Sequence, residues 1–338
     1  MNTLQELEQI MTDPSEPLVK AMAELEGDLM ILGVGGKMGP SMAKLAKKAI
    51  DKAGLSKKVI GVSRFSSGPL RAELEEAGVQ TISADLLDDS QLQQLPDTPN
   101  IIFMAGQKFG TTGKEALTWA MNTYLPGRVA EKFRDSRIVS FSTGNIYPLS
   151  PIHQGSPSEE AAVGPVGEYA QSCLGRERIF TYFSEKWGIP MLHFRLNYAI
   201  DMKYGVLLEI ARAVYERRPL DLSMGHVNVI WQGDANEMAL RSLSLCSTPP
   251  RVLNITGPET SSVRWLAEQF ASRFGVDPVF ANQEQDTALL NNAAKAHQLF
   301  GYPRVSLGQM IDWTAKWVIA GGETSNKPTH FQERKGQF

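Results

Sequence analysis

Residues 28–39 of the chain read Asp-Leu-Met-Ile-Leu-Gly-Val-Gly-Gly-Lys-Met-Gly, and this stretch decides the fold. Its four consecutive apolar residues, 29–32, are typical of a strand buried on both faces. Glycines allow a tight turn and close backbone approach, and the amphipathic residues 38–53 predict a helix whose free N–H groups face a pyrophosphate. The stretch therefore predicts a dinucleotide site, against the alternative of a merely glycine-rich turn. Its candidate cofactor residues are Gly33, Gly35, Gly36, Lys37, Met38 and Gly39.

The same alternation of strand and helix continues along the N-terminal half. The predicted strands after the first are residues 58–62, 80–84, 100–105, 138–142 and 191–196. The predicted helices between them are residues 38–53, 70–77, 118–134 and 168–187. This order builds a parallel sheet with helices on both faces. We therefore predict an α/β fold, a Rossmann-type doubly wound sheet with a smaller C-terminal substrate-binding lobe.

The end of the second predicted strand indicates which dinucleotide binds. An NAD site normally has an acid there that binds the ribose 2′-hydroxyl, but this chain has Ser63 and Arg64. A guanidinium and a hydroxyl suit a 2′-phosphate, and Lys37 in the glycine turn adds a second positive charge nearby. These residues favour NADP over NAD. The alternative is a solvated Arg64 and an unspecific site that accepts either cofactor.

Periodicity divides the chain into four segments. After residue 200 the pattern becomes mixed, which predicts a second lobe interleaved with the first domain. The last residues have no periodicity and predict a tail that wraps the surface or is partly mobile. The predicted segments are an N-terminal helical extension at 1–27, an NAD(P)-binding Rossmann domain at 28–200, a mostly substrate-binding lobe at 201–320 and a tail at 321–338.

Composition excludes several classes of function. The 338 residues carry a net charge of −3 with no run of more than two basic residues, which gives no electrostatic footprint for nucleic acid or an anionic membrane. Two cysteines and dispersed histidines give neither a disulfide framework nor metal-ligand spacing. The N-terminal residues lack a secretory pattern, and no apolar run approaches the roughly 20 residues of a membrane span. We expect a cytoplasmic protein that binds small molecules and no metal.

Further motifs follow in chain order. Residues 141–147 read Phe-Ser-Thr-Gly-Asn-Ile-Tyr, and Tyr169 opens the sequence Tyr-Ala-Gln-Ser-Cys. With the glycine turn, these motifs resemble the extended short-chain dehydrogenase/reductase family, the NAD(P)-dependent epimerases and dehydratases. The resemblance covers about residues 28–320 and implies Thr143, Asn122 and Tyr169 as catalytic residues. The further cofactor residues that it implies are Asp85, Leu86, Met104, Ala105, Gly106, Lys108, Leu196, Asn197 and Tyr198.

One position departs from that family's pattern. Where its YxxxK motif has a lysine one helical turn after the tyrosine, this chain has Cys173. A tyrosine has a pKa near 10, which the lysine normally lowers, and a thiol cannot do so. Three interpretations stay open. Lys108, Arg176 or the nicotinamide supplies the missing charge; the chemistry is lost and the fold only binds cofactor; or Cys173 is itself reactive.

These motifs predict a function with one alternative. We expect hydride transfer at a hydroxyl of a sugar, sugar acid or polyol derivative, with Tyr169 as acid/base and Thr143 orienting the hydroxyl. Nucleotide-sugar enzymes of the family place an arginine seven residues before an aspartate that resembles Asp234, and here that place holds Val227. A smaller carbohydrate-like substrate is therefore favoured. The alternative is a catalytically degenerate regulatory or structural protein. The resemblance also implies a homodimer through residues 118–134 and 168–187.

Overall fold

A computed structural model describes residues 1, 3–66, 68–108 and 113–337 of the chain. A parallel sheet forms its centre, with seven strands in the spatial order β3-β2-β1-β4-β5-β6-β7. The strands are Leu29–Leu32 (β1), Val59–Ser63 (β2), Gln80–Ser83 (β3), Asn100–Phe103 (β4), Arg137–Thr143 (β5), Met191–Leu196 (β6) and Arg251–Ile255 (β7). The predicted doubly wound α/β sheet is confirmed.

Helices cover both faces of the sheet and build the C-terminal lobe. They are Leu4–Met11 (α1), Glu16–Glu24 (α2), Gly39–Lys52 (α3), Leu70–Glu76 (α4), Asp89–Gln93 (α5), Glu115–Trp119 (α6), Leu125–Lys132 (α7), Gly167–Trp187 (α8), Val206–Tyr215 (α9), Gln232–Arg241 (α10), Val263–Phe274 (α11), Ala294–Phe300 (α12) and Leu307–Ile319 (α13). A π-helical turn, Ala120–Tyr124, joins α6 to α7, where the sequence pattern predicted one continuous helix.

Strand order fixes the position of the binding crevice. Helices cover both faces of the parallel sheet, so every residue of β1 and β4 is buried, and all of them except Asn100 are apolar. The order reverses between β1 and β4, so the loops after these two strands diverge to opposite faces and leave an opening between them. The glycine turn follows β1, and residues 104–108 follow β4.

The C-terminal lobe shares elements with the sheet. Strand β7, from the segment predicted as mostly substrate-binding lobe, pairs with β6 at the edge of the sheet. Four short strand pairs lie outside the sheet: Ala199–Ile200 with Ile230–Trp231, His226–Val227 with Ser261–Ser262, Leu220–Asp221 with Phe280–Ala281, and Ser150–Pro151 with Thr287–Ala288. A separate apolar core formed by α9, α11 and α13 holds this lobe together.

The two ends of the chain pack against the rest of it. The N-terminal extension, predicted as one helix, forms two, because Pro14 interrupts the first and Ser15 caps the second. The tail wraps the surface, and Phe331 is fully buried in the core of the C-terminal lobe. Within the described ranges, none of the helices combines the length and apolarity that crossing a bilayer requires. The same residues contain no group of three or more metal-ligating side chains.

Candidate active site

A cavity of about 660 Å³ opens at the carboxyl ends of β1, β4, β5 and β6. It lies where the strand order places the crevice of a doubly wound sheet. The predicted site residues that line it are Gly33, Gly36, Lys37, Met38, Met104, Gly106, Lys108, Thr143, Tyr169, Leu196 and Tyr198. Residues from three loops, two strands and α8, far apart in sequence, therefore meet around one space.

Other predicted residues lie beside or behind this lining. Those outside it are Gly35, Gly39, Ser63, Arg64, Asp85, Leu86, Ala105, Asn122, Cys173 and Asn197. Gly35 contacts Ser63 at the end of β2, and the Ser83 hydroxyl donates to the Arg64 carbonyl (3.0 Å). Arg64 itself is exposed. Gly35, Ser63 and Arg64 therefore continue the site toward the ends of β2 and β3, whereas Cys173 lies beside Tyr169.

The glycine turn has room for backbone alone. A Cβ added to Gly33, which has φ +90°, would lie 2.7 Å from the Ala105 nitrogen, and one on Gly39 would lie 2.2 Å from the Val34 carbonyl oxygen. A Cβ on Gly36 would approach no closer than 3.4 Å, because this residue faces the cavity. No side chain caps the N-terminus of α3, so its first N–H groups are available to an anion. The turn therefore fits a dinucleotide pyrophosphate.

The Lys37 side chain does not point toward Arg64, as the prediction of an NADP site expected. Its Nζ donates to the Ala199 carbonyl (2.8 Å) and lies 4.2 Å from the centre of the Tyr204 ring. Burial lowers the pKa of Lys37 to about 8, although Asp201 nearby opposes the shift. Its charge therefore faces the loop after β6 and the cavity. The expectation of a second cation beside Arg64 is wrong because this side chain is held at the other end of the site.

Tyr169 and Thr143 form the centre of the cavity. The Tyr169 hydroxyl is hydrogen-bonded to Thr143 and to the sulfur of Cys173, one helical turn further along α8. The Thr143 hydroxyl accepts from the side-chain and backbone nitrogens of Asn145 (3.0 and 3.2 Å). Burial raises the pKa of Tyr169 well above its usual range, and the neighbouring Cys173 adds to the shift. Burial also raises the pKa of Cys173. Both groups are therefore protonated at neutral pH.

Lys108 and Arg176, the two cations predicted as replacements for the missing lysine, have different surroundings. Lys108 Nζ lies 5.9 Å from the centre of the Tyr169 ring, and burial lowers its pKa to about 8. The Arg176 guanidinium donates to the Phe141 carbonyl (2.6 Å) and to Asn122 Oδ1 (2.8 Å). Its charge lowers the Tyr169 pKa from a distance, whereas Lys108 lies over the ring itself.

Asn122 lies behind the lining, in the π-helical turn. Its Oδ1 accepts from the Gln107 N–H (2.9 Å) and from Arg176, and its Nδ2 donates to the Gln107 carbonyl (2.9 Å) and the Ser172 hydroxyl (3.0 Å). All its hydrogen-bonding positions are used within the protein. Asn122 therefore positions the loop that carries Lys108 and ties it to α8.

A buried ion pair beneath the site was missed by the sequence analysis. Arg195 on β6 donates to both carboxylate oxygens of Glu177 on α8 (3.0 and 2.7 Å), and both side chains are less than one-tenth exposed. The Ser142 hydroxyl donates to Glu177 (2.5 Å), and Arg195 also donates to the Tyr147 hydroxyl (2.6 Å). Ser142 precedes Thr143, so the pair fixes the strand that carries the predicted catalytic hydroxyl.

Comparison with known families identifies the chain. The model of the NAD dependent epimerase/dehydratase family matches residues 29–200, just over half of the sequence. The chain belongs to this family. The family resemblance predicted from the glycine turn and the later motifs is thereby confirmed. Membership of this family also agrees with the prediction of an enzyme. No curated protein matches the sequence.

Solved structures of epimerases share the fold of this family member. UDP-glucuronic acid 4-epimerase from Bacillus cereus, in complex with UDP-glucuronic acid and NAD, is 18% identical with a TM-score of 0.70, over 86% of this chain and 99% of that one. UDP-glucose 4-epimerase from Thermotoga maritima, with UDP-glucose, is 16% identical with a TM-score of 0.68, over 87% and 99%. An epimerase from Methanothermobacter thermautotrophicus is 17% identical with a TM-score of 0.71, over 90% and 96%.

Proposed function

We propose that this family member is an NAD(P)-dependent oxidoreductase or epimerase-like enzyme that acts on a hydroxyl of a sugar, sugar acid or polyol derivative. The observation that carries the proposal is that the hydrogen-bonded pair Tyr169 and Thr143 faces the same cavity as the glycine turn. A phenol and a hydroxyl beside a dinucleotide site are suited to moving a proton at a carbon that exchanges a hydride. The experiment is a cofactor-reduction assay across neutral sugars, sugar acids and polyols, with Tyr169→Phe as the reference.

The chain's own residues supply the proton chemistry. When bound, the nicotinamide ring supplies a hydride donor or acceptor. Thr143 would hold the substrate hydroxyl or carbonyl oxygen beside Tyr169 Oη, which gives a proton during reduction and takes one during oxidation. Because the raised pKa keeps Tyr169 protonated, the resting site is set to donate a proton. Oxidation needs positive charge near the phenol. Arg176 lowers the Tyr169 pKa from a distance, and we propose Lys108, 5.9 Å from the centre of the ring, as a second source of that charge.

Lys108→Met tests whether this lysine replaces the family's missing one. We expect cofactor affinity at pH 7 to fall by about tenfold, because a charge-assisted contact with an anionic ligand is lost. In the unchanged protein, affinity should weaken as the pH rises through about 8, where Lys108 and Lys37 both lose a proton, and the variant should keep only the smaller step that Lys37 contributes. Calorimetric titration from pH 7 to 9 measures both, with the exposed Lys114→Met as the matched control. An unchanged pH profile in Lys108→Met would contradict the assignment.

A second candidate function rests on Cys173. The thiol is almost fully buried and its pKa is raised, so it neither stabilises a phenolate nor contributes a charge to the cavity. This favours a protein that binds the cofactor without turnover. Reactive cysteines have a lowered pKa and some exposure, so the third interpretation has little support. Turnover of any substrate by the unchanged protein excludes the second candidate, whereas activity that appears only in Cys173→Lys would support it.

We propose NADP as the preferred cofactor. The evidence is Arg64 alone, because the Lys37 side chain lies at the other end of the site. Arg64 is exposed at the end of β2, where no acid opposes a 2′-phosphate. Arg64→Ala should weaken NADP binding by about tenfold and leave NAD binding unchanged. Calorimetry with both cofactors measures this, and Arg71→Ala, at an exposed arginine paired with Glu75, is the control. Equal losses for the two cofactors would remove the 2′-phosphate role.

The proposed substrate is a compact carbohydrate derivative. The solved neighbours bind UDP-sugars, which supports carbohydrate chemistry. Val227 stands where nucleotide-sugar enzymes have an arginine, and here it is fully buried and paired with Ser261. Asp234 is also buried and accepts from the Val305 N–H (3.0 Å), so it is committed to the fold. The diphosphate clamp expected of a nucleotide-sugar enzyme therefore has no counterpart at these positions.

We also propose a homodimer through α6, α7 and α8. Four large apolar side chains near this face are between about one-third and three-fifths exposed: Leu117, Trp119, Tyr124 and Tyr182. A shallow groove lined by Ile179 and Phe183 runs between the helices. Contiguous exposed apolar surface of this kind marks an interaction site. Sedimentation velocity at micromolar concentration should find a species of about twice 37 kDa, and a monomer would contradict the proposal.

A further inference from the structure

The C-terminal strap, residues 323–337, crosses the mouth of the active-site cavity. It begins after α13, where the Trp317 indole N–H donates to the Glu323 carbonyl (3.0 Å). The Thr329 hydroxyl then donates to Glu209 on α9 (2.8 Å), and Phe331 enters the core of the lobe. Arg334 donates to the Thr287 carbonyl (2.8 Å) beyond it. The strap is therefore anchored on both sides of the point where it meets the cavity.

The far end of the strap reaches the helix of the predicted acid/base. Gly336 lies so close to Gly167, the first residue of α8, that a Cβ on either would come within 2.3 Å of backbone oxygen on the other side. Both residues have positive φ, which only glycine adopts without strain. Gly167 is two residues from Tyr169. The strap therefore connects the C-terminal lobe to the start of the catalytic helix.

Between these anchors the strap lines the cavity itself. Ser325, Lys327 and Thr329 contribute to its wall. The Ser325 N–H donates to the Lys203 carbonyl (2.9 Å), so Lys203 and Lys327 are held near one another on the cavity rim. Neither lysine side chain forms an ion pair with any residue that the structure describes. Lys203 is half-buried and Lys327 is exposed, so both ammonium groups lie at the rim, where they are accessible to a ligand.

The nearby carboxylates are already committed. Asp201 Oδ1 accepts from the backbone N–H groups of Lys203 (2.6 Å) and Tyr204 (2.8 Å), and Lys37 lies close to it. Glu209 accepts from both the backbone and the hydroxyl of Thr329. These hydrogen bonds leave both carboxylates charged, but Lys37, Lys203 and Lys327 together carry one more charge than Asp201 and Glu209. The strap side of the cavity therefore has a small net positive charge, and its potential is stronger in a crevice than on an open surface.

We propose that the C-terminal strap completes the substrate site, and that Lys203 and Lys327 bind an anionic group, a carboxylate or a phosphate, on a compact substrate. This deepens the proposed function and rests on it for the reacting hydroxyl, which would lie at Tyr169 while the anion lies at the strap. Such a substrate is a sugar acid or a sugar phosphate. A neutral sugar would gain no electrostatic attraction from these two lysines.

The test measures binding rather than turnover. Calorimetry would compare D-glucuronate, D-glucose 6-phosphate and D-glucose, each titrated into the full-length protein with and without NADP. We expect the better of the two anionic probes to bind at least about tenfold more tightly than glucose, with a preference that falls as salt is raised. K203Q and K327Q should each remove most of this preference, while K335Q, at an exposed lysine of the strap outside the cavity, should keep it.

The comparison between the two anionic probes separates a carboxylate from a phosphate. Equal affinity for charged and neutral probes, or no detectable binding of the anionic probes, would overturn the inference, and so would a preference that survives in both K203Q and K327Q. Melting temperatures of the variants should match the unchanged protein because both lysines are at the surface of the cavity. Anion binding without any cofactor reduction would refute the proposed function and leave this inference standing.

Discussion

Tyr169→Phe is expected to lower the rate of hydride transfer by about 10²- to 10⁴-fold, the usual contribution of a positioned acid or base. The change removes only the hydroxyl that is hydrogen-bonded to Thr143 and Cys173. The ring, which Lys108 overlies, remains in place. Cofactor affinity should therefore change little, because the glycine turn and the N-terminus of α3 are untouched.

Single-turnover measurements at saturating cofactor separate this effect from binding. Tyr182→Phe is the matched control, because Tyr182 lies on the same helix and is more than half exposed, outside the cavity. It should retain full activity. A Tyr169→Phe variant as active as the unchanged protein would show that the phenol moves no proton, and the cofactor-binding alternative would then be preferred.

Arg195→Met is expected to reduce the free energy of unfolding by about 3–5 kcal/mol. The substitution leaves the Glu177 carboxylate buried, with only the Ser142 hydroxyl and its remaining neighbours to compensate the charge. Tyr147 also loses the donor at 2.6 Å, which loosens the turn after β5. Activity should fall with stability because Ser142 adjoins Thr143.

Urea denaturation measures the loss, with the exposed Arg178→Met on α8 as a control expected to stay within about 0.5 kcal/mol. The double variant Glu177→Met/Arg195→Met should lose less than the sum of the single variants, because no buried charge is left unpaired. Additive losses would contradict the assignment of the pair as a coupled unit.

The Glu177 pKa determines whether stability rises or falls with pH. Burial alone would raise it, but the hydrogen bond from Arg195 and the charge of nearby His193 outweigh burial and hold it below its usual 4.5. A lowered folded-state pKa contributes stability above the unfolded value, and that stability is lost as the pH falls through the folded value. As the pH falls below 5, the free energy of unfolding should therefore decrease less in the Arg195→Met variant than in the unchanged protein.

The local sequence was sufficient to predict the strands of the sheet and the glycine turn. Strand β1 is apolar throughout, and the helix after the turn has a clear amphipathic period, so both can be predicted from short stretches of sequence. Gly39 contacts only the Val34 backbone of the same turn, whereas Gly33 contacts the backbone of Met104 and Ala105, which follow the neighbouring strand β4. The structure also brings Thr143 and Tyr169 together, and the family resemblance rather than any local pattern suggested that they act on one hydroxyl.

Contacts between segments that are distant in the chain could not be predicted from the sequence pattern. Lys37 reaches Ala199, and its direction depends on a loop 162 residues away. The contact between Glu177 and Arg195 crosses from a helix to a strand, and neither residue interrupts the periodicity of its element. The strap has no periodicity because it is held by single anchors rather than by regular structure. The contribution of Lys327 to the cavity therefore had no local signal.

The central claim is that the glycine turn holds a dinucleotide whose nicotinamide lies beside Tyr169. A crystal structure of the protein soaked with NADP tests it most directly. We expect the pyrophosphate against the N-terminus of α3 and the nicotinamide C4 on the side of Tyr169 and Thr143, leaving room for a substrate carbon at roughly 3–3.5 Å. A turn without bound cofactor at saturating concentration, or a nicotinamide directed away from Tyr169, would contradict the account.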